Sequence, residues 1–99
     1  MAVKLMAFYA TPDDAAAFDQ HYQTVHTPIV ESIPGLAALR ISRSRRRLMG
    51  DADIYLVAEM VFPDRETFDK AMGSAENQAA GKDLANFARG KVTLVVAED

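Results

Sequence analysis

Residues 53–62, with the sequence DIYLVAEMVF, decide the fold because they form the most strand-like run of the chain. Successive side chains of a strand point to opposite faces of a sheet. One face would carry Ile54, Leu56, Ala58, Met60 and Phe62, and the other Tyr55, Val57, Glu59 and Val61. Because both faces are mostly apolar, whereas the open face of a two-layer sheet is normally polar, this run predicts a sheet that is covered on both sides.

The segments around this run predict three more strands, at residues 3–10, 36–45 and 91–97. The strands at 36–45 and 53–62 are expected to form a hairpin. Two short helices should lie between residues 63 and 90, and Asp64 and Ser74 are their predicted caps. With a helix after the first strand, the order is β-α-β-β-α-β, which indicates an α+β, ferredoxin-like fold with a four-stranded antiparallel sheet.

The first helix should begin at the turn of residues 11–14, with Thr11 as its cap. Its predicted buried stripe has steps of three and four residues and consists of Phe18, Tyr22, Val25 and Ile29. Pro28 lies within this pattern and lacks a backbone N–H, so a break or a kink is expected near His26 and Thr27.

Length and composition limit the class of protein. Ninety-nine residues, 49% of them hydrophobic and 25% charged, predict one folded domain spanning residues 1–99. The absence of cysteine favours the cytoplasm as the compartment. A net charge of −3 argues against binding to nucleic acid or an anionic membrane, and no apolar run is long enough to span a bilayer.

The second apolar face of the sheet predicts a homodimer. Four strands present a face of about 400 Å², and an exposed apolar patch of this size indicates an interface. Since all of the predicted helices are needed on the first face, a second copy of the sheet is expected to cover the other, with the sheets packed face to face. A monomer with a different order of layers is the alternative.

Four motifs resemble the pattern of the EthD family. They are Phe18-Asp19-Gln20-His21-Tyr22, Val25-His26-Thr27-Pro28, Ile33-Pro34-Gly35 and Tyr55-Leu56-Val57-Ala58-Glu59. The chain departs from the pattern at Ala75, where proline is usual. The resemblance implies a dimeric α+β barrel, a fold whose wider superfamily includes small monooxygenases, cyclases and lactone isomerases.

His26 is the candidate catalytic residue, because a histidine beside a helix break can point into a cleft and act as an acid or base near pH 7. The alternative is that its ring stabilises the break by binding the carbonyl groups that Pro28 leaves free. An apolar pocket between the first helix and the sheet is expected to bind a small hydrophobic or aromatic compound. The candidate substrate-binding residues are Tyr9, Tyr22, Met60 and His21.

His21 and His26 should lie about 140° apart on a regular helix, so they are not expected to share a metal ion. His21 is instead expected to be half-buried and bonded to Asp19 or to a neighbouring chain. No nucleotide-binding, flavin or metal motif is visible, and no cofactor is predicted. Together with the missing cofactor motifs, the resemblance to the EthD family implies the activity of a cofactor-independent oxygenase, cyclase or isomerase. The alternative is a non-catalytic accessory protein that binds a ligand or a partner oxygenase.

Glu59 lies within an apolar strand and needs compensation there. It is expected either to form a structural ion pair with Arg40 on the adjacent strand or to be a second acid or base. Arg40 also begins a basic cluster that contains Arg43, Arg45, Arg46 and Arg47. The cluster is typical of a solvated strand edge, and the alternative is a surface that attracts anionic ligands.

Overall fold

The computed structural model describes residues 1–99 and contains one antiparallel sheet of four strands. The strands are β1 (Val3–Tyr9), β2 (Ala38–Arg43), β3 (Leu56–Phe62) and β4 (Val92–Glu98). Their order across the sheet is β2-β3-β1-β4, and β2 pairs with β3 as the predicted hairpin. The ferredoxin-like fold is thus confirmed, although β2 and β3 are shorter than predicted.

The helical elements lie between β1 and β2 and between β3 and β4. They are α1 (Ala15–His21), a π-helical segment (Tyr22–His26), α2 (Thr27–Glu31), α3 (Arg65–Met72) and α4 (Ala75–Phe87). The side chains of Asp64 and Ser74 accept backbone N–H groups at the starts of α3 and α4, which confirms both predicted caps. No helix is long and apolar enough to cross a membrane.

Asp14 caps α1, and its side chain accepts the N–H of Ala17 at 3.0 Å. The prediction that Thr11 is the cap is therefore wrong. The Thr11 hydroxyl instead donates to the carboxylate of Asp53 at 2.7 Å. This bond connects the end of β1 to the loop before β3, and a contact of that range has no signal in the local sequence around Thr11.

The helix does not break near His26 and Thr27, but it departs from the regular α-helix there, because a π-helical segment lies between α1 and α2. The N–H of Thr27 bonds to the carbonyl of Tyr22, five residues earlier, as in a π turn. Pro28 lies in the first turn of α2. The wider π turn accommodates the constraint that a proline places on the preceding turn without ending the helix.

The π-helical segment also shifts the buried stripe of this helix by one residue. After Tyr22, the sequence predicts Val25 and Ile29 in the stripe, whereas the structure buries His26 and Val30. Val25 is 40% exposed. A turn with one additional residue explains the shift, and it places His26 in the middle of the buried face rather than at its predicted edge.

The main core lies between the helices and one face of the sheet. It includes Tyr9, Phe18, Tyr22, Leu56 and Phe62, which are almost completely buried. Aromatic rings form its centre: the ring of Tyr9 packs edge-on against the rings of Phe18 and Tyr22, with centroids 5.4 and 5.5 Å away. This aromatic cluster fixes the helical path against β1.

The helices cover only one face of the sheet. Along β3, fully buried residues alternate with the half-buried Val57, Glu59 and Val61, as the two-faced sequence pattern predicts. On β4, the residues of both faces are partly open, and Val95 is 43% exposed. The face that contains Val57 and Val95 is called the open face below.

Candidate functional site

A cavity of about 160 Å³ lies between the sheet and the helices, and we call it the apolar pocket. Its sheet side includes Tyr9 and Met60, and its helix side includes His26, Asn77 and Leu84. Ten of its thirteen lining residues are hydrophobic. Only His26, Asn77 and the Tyr9 hydroxyl bring polar atoms to it, so it suits a ligand that is mainly apolar.

The apolar pocket opens between α4 and the edge strand β4. Gly81 of α4 and Leu94 of β4 both line it and are both exposed, with Leu94 at 50%. Glycine leaves this side of the mouth without a side chain, and an added Cβ at Gly81 would meet no atom within 4 Å.

His26 is buried, with 4% of its surface exposed. Its Nδ1 lies 3.0 Å from Oδ2 of Asp83. The other ring nitrogen, Nε2, has no hydrogen bond within the chain. Every fully buried side-chain nitrogen or oxygen does have a hydrogen-bond partner, so Nε2 must reach an open space, and the cavity that His26 lines is the apolar pocket. Nε2 therefore faces the apolar pocket. Donation of the Nδ1 proton to an ionised Asp83 leaves Nε2 with its lone pair free.

Burial lowers the pKa of His26 below its ordinary value of 6.5, although the hydrogen bond and the charge of Asp83 oppose this effect. The neutral imidazole is therefore the ground state at pH 7. A neutral imidazole whose lone pair faces an apolar pocket is suited to accept a proton from a bound ligand.

Asp83 is the functional residue that sequence reasoning missed. It lies on α4, is 5% exposed, and accepts hydrogen bonds from His21, His26 and Asn86. Burial alone would raise the pKa of Asp83, but these hydrogen bonds outweigh burial and hold it below its ordinary value. A signal existed in the sequence: Asp83 lies four residues before Phe87, the spacing that places two side chains on one face of a helix.

His21 was expected to bond to Asp19 within the chain, but it bonds to Asp83 instead. Its Nε2 lies 2.9 and 3.1 Å from the two carboxylate oxygens of Asp83. Asp19 instead accepts the hydroxyl of Tyr55 at 2.9 Å. The expected 140° separation of His21 and His26 is also wrong, because the π turn between them brings both rings to the same carboxylate. His21 does not line the apolar pocket. It lines a separate surface cleft of about 420 Å³ between α1 and α4, which we call the outer cleft.

The structure places the other predicted substrate-binding residues in different environments. Tyr9 and Met60 line the apolar pocket, whereas Tyr22 packs beside it in the aromatic cluster. Burial raises the pKa of Tyr9 well above its usual range, and it raises the pKa of Tyr22 to about 12 against a smaller opposing effect of Arg43. Both hydroxyls are therefore protonated at neutral pH, and the Tyr9 hydroxyl has no hydrogen bond partner in the chain.

Glu59 and Arg40 lie on the open face, on the side of the sheet opposite the apolar pocket. They are cross-strand neighbours in the pairing of β2 with β3, but their charged atoms do not come within 4.0 Å of each other. Both line a shallow depression of about 190 Å³ together with Lys4 and Asp99. Of the rest of the basic cluster, Arg43 turns to the helices and bonds to Asp19 at 3.1 Å.

These features define a class of protein: a small ferredoxin-like α+β domain with one open sheet face and a histidine in an apolar pocket between helix and sheet. The family model described as "EthD domain" matches residues 11–91. The chain belongs to the EthD family.

Two proteins are similar to this chain in sequence. An EthD family protein from Bacillus halodurans, known from its crystal structure, is 40% identical with a TM-score of 0.92, and the match covers 100% of this chain and 99% of that one. An uncharacterized 11.0 kDa protein in the thcB-thcC intergenic region of Rhodococcus erythropolis is 33% identical, and the match covers 92% of this chain and 88% of that one.

More distant structures share the fold alone. A dimeric ferredoxin-like protein of unknown function from Jannaschia is 17% identical with a TM-score of 0.73, and the match covers both chains completely. A mutant of SnoaB, a cofactor-independent oxygenase from Streptomyces nogalater, is 16% identical with a TM-score of 0.71. That match covers 99% of this chain and 92% of SnoaB.

Proposed function

We propose that this protein binds a small hydrophobic or aromatic molecule in the apolar pocket and that His26 acts on it as an acid or base. The observation that carries the proposal is the different environment of the two nitrogens of one ring. Nδ1 is held by the buried carboxylate of Asp83, whereas Nε2 faces an otherwise apolar cavity.

The chemistry that suits this arrangement is removal of a proton from a weakly acidic C–H or O–H group. Nε2 of His26 accepts the proton, and the Asp83 carboxylate stabilises the imidazolium that results. The protonated Tyr9 hydroxyl in the same pocket is available to donate to a ligand oxygen that gains negative charge. The resulting enolate or phenolate can react with dioxygen, close a ring or take a proton back at another carbon, so oxygenase, cyclase and isomerase reactions share this first step.

The size of the apolar pocket limits the ligand. Its volume of about 160 Å³ is below the range of about 300–1,000 Å³ that is usual for ligand pockets. A ligand with one small ring, or one end of a longer molecule that extends through the mouth at Gly81, fits this volume. A longer molecule of this kind is favoured because Gly81 and Leu94, at the mouth of the pocket, are both exposed.

We also propose that the protein is a homodimer formed through the open faces of two sheets. Half-buried apolar side chains on this face, including Val57 and Val61, are left without a covering layer by the single chain. A fold-level neighbour is described as dimeric. The cytoplasm stays a prediction that rests on the cysteine-free composition.

Proton removal can be tested without knowledge of the natural substrate. Small aromatic ketones such as acetophenone and 1-indanone exchange the hydrogens beside their carbonyl groups with deuterium from D₂O, and NMR follows this exchange. We expect the protein to accelerate exchange for ketones that fit the pocket. The H26N variant should lose about 100-fold or more of the acceleration, because the asparagine amide can still donate to Asp83 but has no nitrogen at the position of Nε2.

Two further measurements separate loss of chemistry from loss of fold or of binding. Thermal unfolding of H26N should stay close to that of the native chain, and G81L, which fills the pocket mouth, should block exchange while leaving His26 intact. If ketones bind without any accelerated exchange, the protein is a non-catalytic accessory or ligand-binding protein. A small molecule that copurifies, detected by native mass spectrometry, would identify its ligand, and an associated partner oxygenase would support the accessory role.

A further inference from the structure

Asp83 connects two spaces that have no opening in common. His26 lines the apolar pocket and His21 lines the outer cleft, and each ring is hydrogen-bonded to the Asp83 carboxylate. Oδ2 of Asp83 lies 3.1 Å from Nε2 of His21 and 3.0 Å from Nδ1 of His26. The two imidazole nitrogens are therefore no more than about 6 Å apart.

The two rings differ in their access to water. The His21 side chain is 27% exposed, whereas those of His26 and Asp83 are 5% and 6% exposed. Nε2 of His21 is bonded to Asp83, and its Nδ1 has no partner within the chain. A proton bound at Nδ1 of His21 can therefore leave directly to water in the outer cleft, whereas Nε2 of His26 faces the apolar pocket, where a bound ligand would lie.

We propose that His21 is a positioning residue for His26, which releases a proton to solvent when His26 gains one and takes one up when His26 loses it. The two rings are coupled because both are bonded to the single negative charge of Asp83. One carboxylate balances one imidazolium. When His21 carries protons at both ring nitrogens, a proton that arrives at Nε2 of His26 displaces the one at Nδ1 of His21 into the outer cleft. One proton is gained and one is lost, so the charge of the buried cluster does not change.

The use of this coupling in catalysis rests on the proposed acid–base role of His26. The coupling itself follows from the geometry of the two rings and does not require a ligand. The positive charge of His21 is among the effects that lower the pKa of His26, in agreement with coupling. His26 itself is faced by Asp83 of α4 and by the hydroxyl-bearing Tyr9 and Tyr22 of β1 and the π-helical segment. The charged groups around His21 in the outer cleft are Asp13, Asp14, Arg89 and Lys91.

The coupling can be measured by NMR titration of the imidazole nitrogens of the full-length protein without ligand. The chain has only two histidines, so each signal can be assigned from one variant. In the native protein, His26 should titrate in two steps, because its protonation depends on the state of the other ring. In H21Q, the glutamine amide still donates to Asp83 but cannot be protonated. The His26 titration should then become a single step at a pH about one unit higher.

A matched control is K82Q, which removes an exposed charge next to Asp83 on the same helix but outside the hydrogen-bonded cluster. This variant should retain the two-step titration of His26. The inference is overturned if His26 titrates in one step in the native protein, or if H21Q leaves its midpoint unchanged while H21Q remains folded. Since no ketone is present, these outcomes are independent of whether His26 accelerates deuterium exchange.

Discussion

Oδ2 of Asp83 lies 3.0 Å from Nδ1 of His26, although the two residues are 57 positions apart in the chain. This contact joins α4 to the π-helical segment and fixes the orientation of a buried imidazole. A histidine that bonds to a carboxylate through Nδ1 presents Nε2 with its lone pair free, which is the form that a general base requires. The same contact therefore serves both the packing of the helices and the chemistry of the apolar pocket.

Replacement of Asp83 by asparagine should destabilise the protein. The amide keeps the shape of the side chain but loses the negative charge. That charge strengthens the hydrogen bonds that Asp83 accepts from His21, His26 and Asn86. Hydrogen bonds to charged groups contribute about 1.5–3 kcal/mol each, and relief of the buried charge offsets part of the loss. We expect D83N to lower the free energy of unfolding in urea by about 2 kcal/mol.

The control for D83N is D69N, which makes the same chemical change at an exposed position of α3. An exposed substitution of this kind changes the free energy of unfolding by no more than about 0.5 kcal/mol. Equal effects of D83N and D69N would show that the cluster around Asp83 makes no special contribution to stability.

Stability should fall as the pH is lowered, for two reasons with the same sign. The pKa of His26 is lower in the folded state than its ordinary value of 6.5, so the unfolded chain binds more protons below that pH. The pKa of Asp83 is also lowered, so its contribution is lost when the pH falls below about 4 towards its folded value. Both groups therefore make the folded state more stable at pH 7 than at pH 4.

Urea unfolding at intervals between pH 7.5 and pH 4 measures this dependence. In H26N, the part of the decrease that begins near pH 6.5 should be smaller, while the decrease near pH 4 remains because Asp83 is still present. A native protein that becomes more stable between pH 7 and pH 5 would contradict the burial of a neutral His26.

The fold could be predicted from the sequence because its signals are local. Alternation along residues 53–62 assigns each side chain of β3 to a face, and Asp64 and Ser74 directly precede the helices that they cap. The site was harder to predict. A regular helical period placed Val25 in the buried stripe, and only the π turn moves His26 there.

Asp83 illustrates a second reason why the site was incompletely predicted. Its partners lie 57 and 62 residues away, so the preference of a carboxylate for that position appears only when α4 packs against α1 and the π-helical segment. Tyr9 and Met60 line the apolar pocket because their strand positions make them face the helices, and their binding of a substrate stays a prediction.

Gly35 is a position where a side chain should not be tolerated. Its φ angle is +80°, and a Cβ atom there would collide with Cγ2 of Thr67 in α3. Gly50 has a similar φ of +87° but no atom within 4 Å of an added Cβ. The strain of an alanine at positive φ is common to both positions and costs about 1–2 kcal/mol. G35A should cost about 1–3 kcal/mol more than G50A, because only G35A adds the collision.

Urea unfolding of both variants measures this difference. The double variant G35A/T67S, which removes Cγ2 while keeping the hydroxyl, should recover most of the additional loss. If G35A and G50A have equal effects, the packing of the Ile33-Pro34-Gly35 turn against α3 does not contribute to stability.

The open face should determine the oligomeric state. Val57 is half-buried on the open face, on the inner strand β3, and it pairs with Phe8 of the other inner strand, β1. A charge at this position would have to be desolvated in a face-to-face dimer but could reach water in a monomer. We expect the native chain to sediment as a dimer at micromolar concentration and V57D to sediment as a monomer, with circular dichroism confirming that V57D is folded. The control A79D, which adds the same charge at an exposed position of α4, should remain a dimer. A native chain that sediments as a stable monomer would leave the apolar side chains of this face exposed and would contradict the proposed assembly.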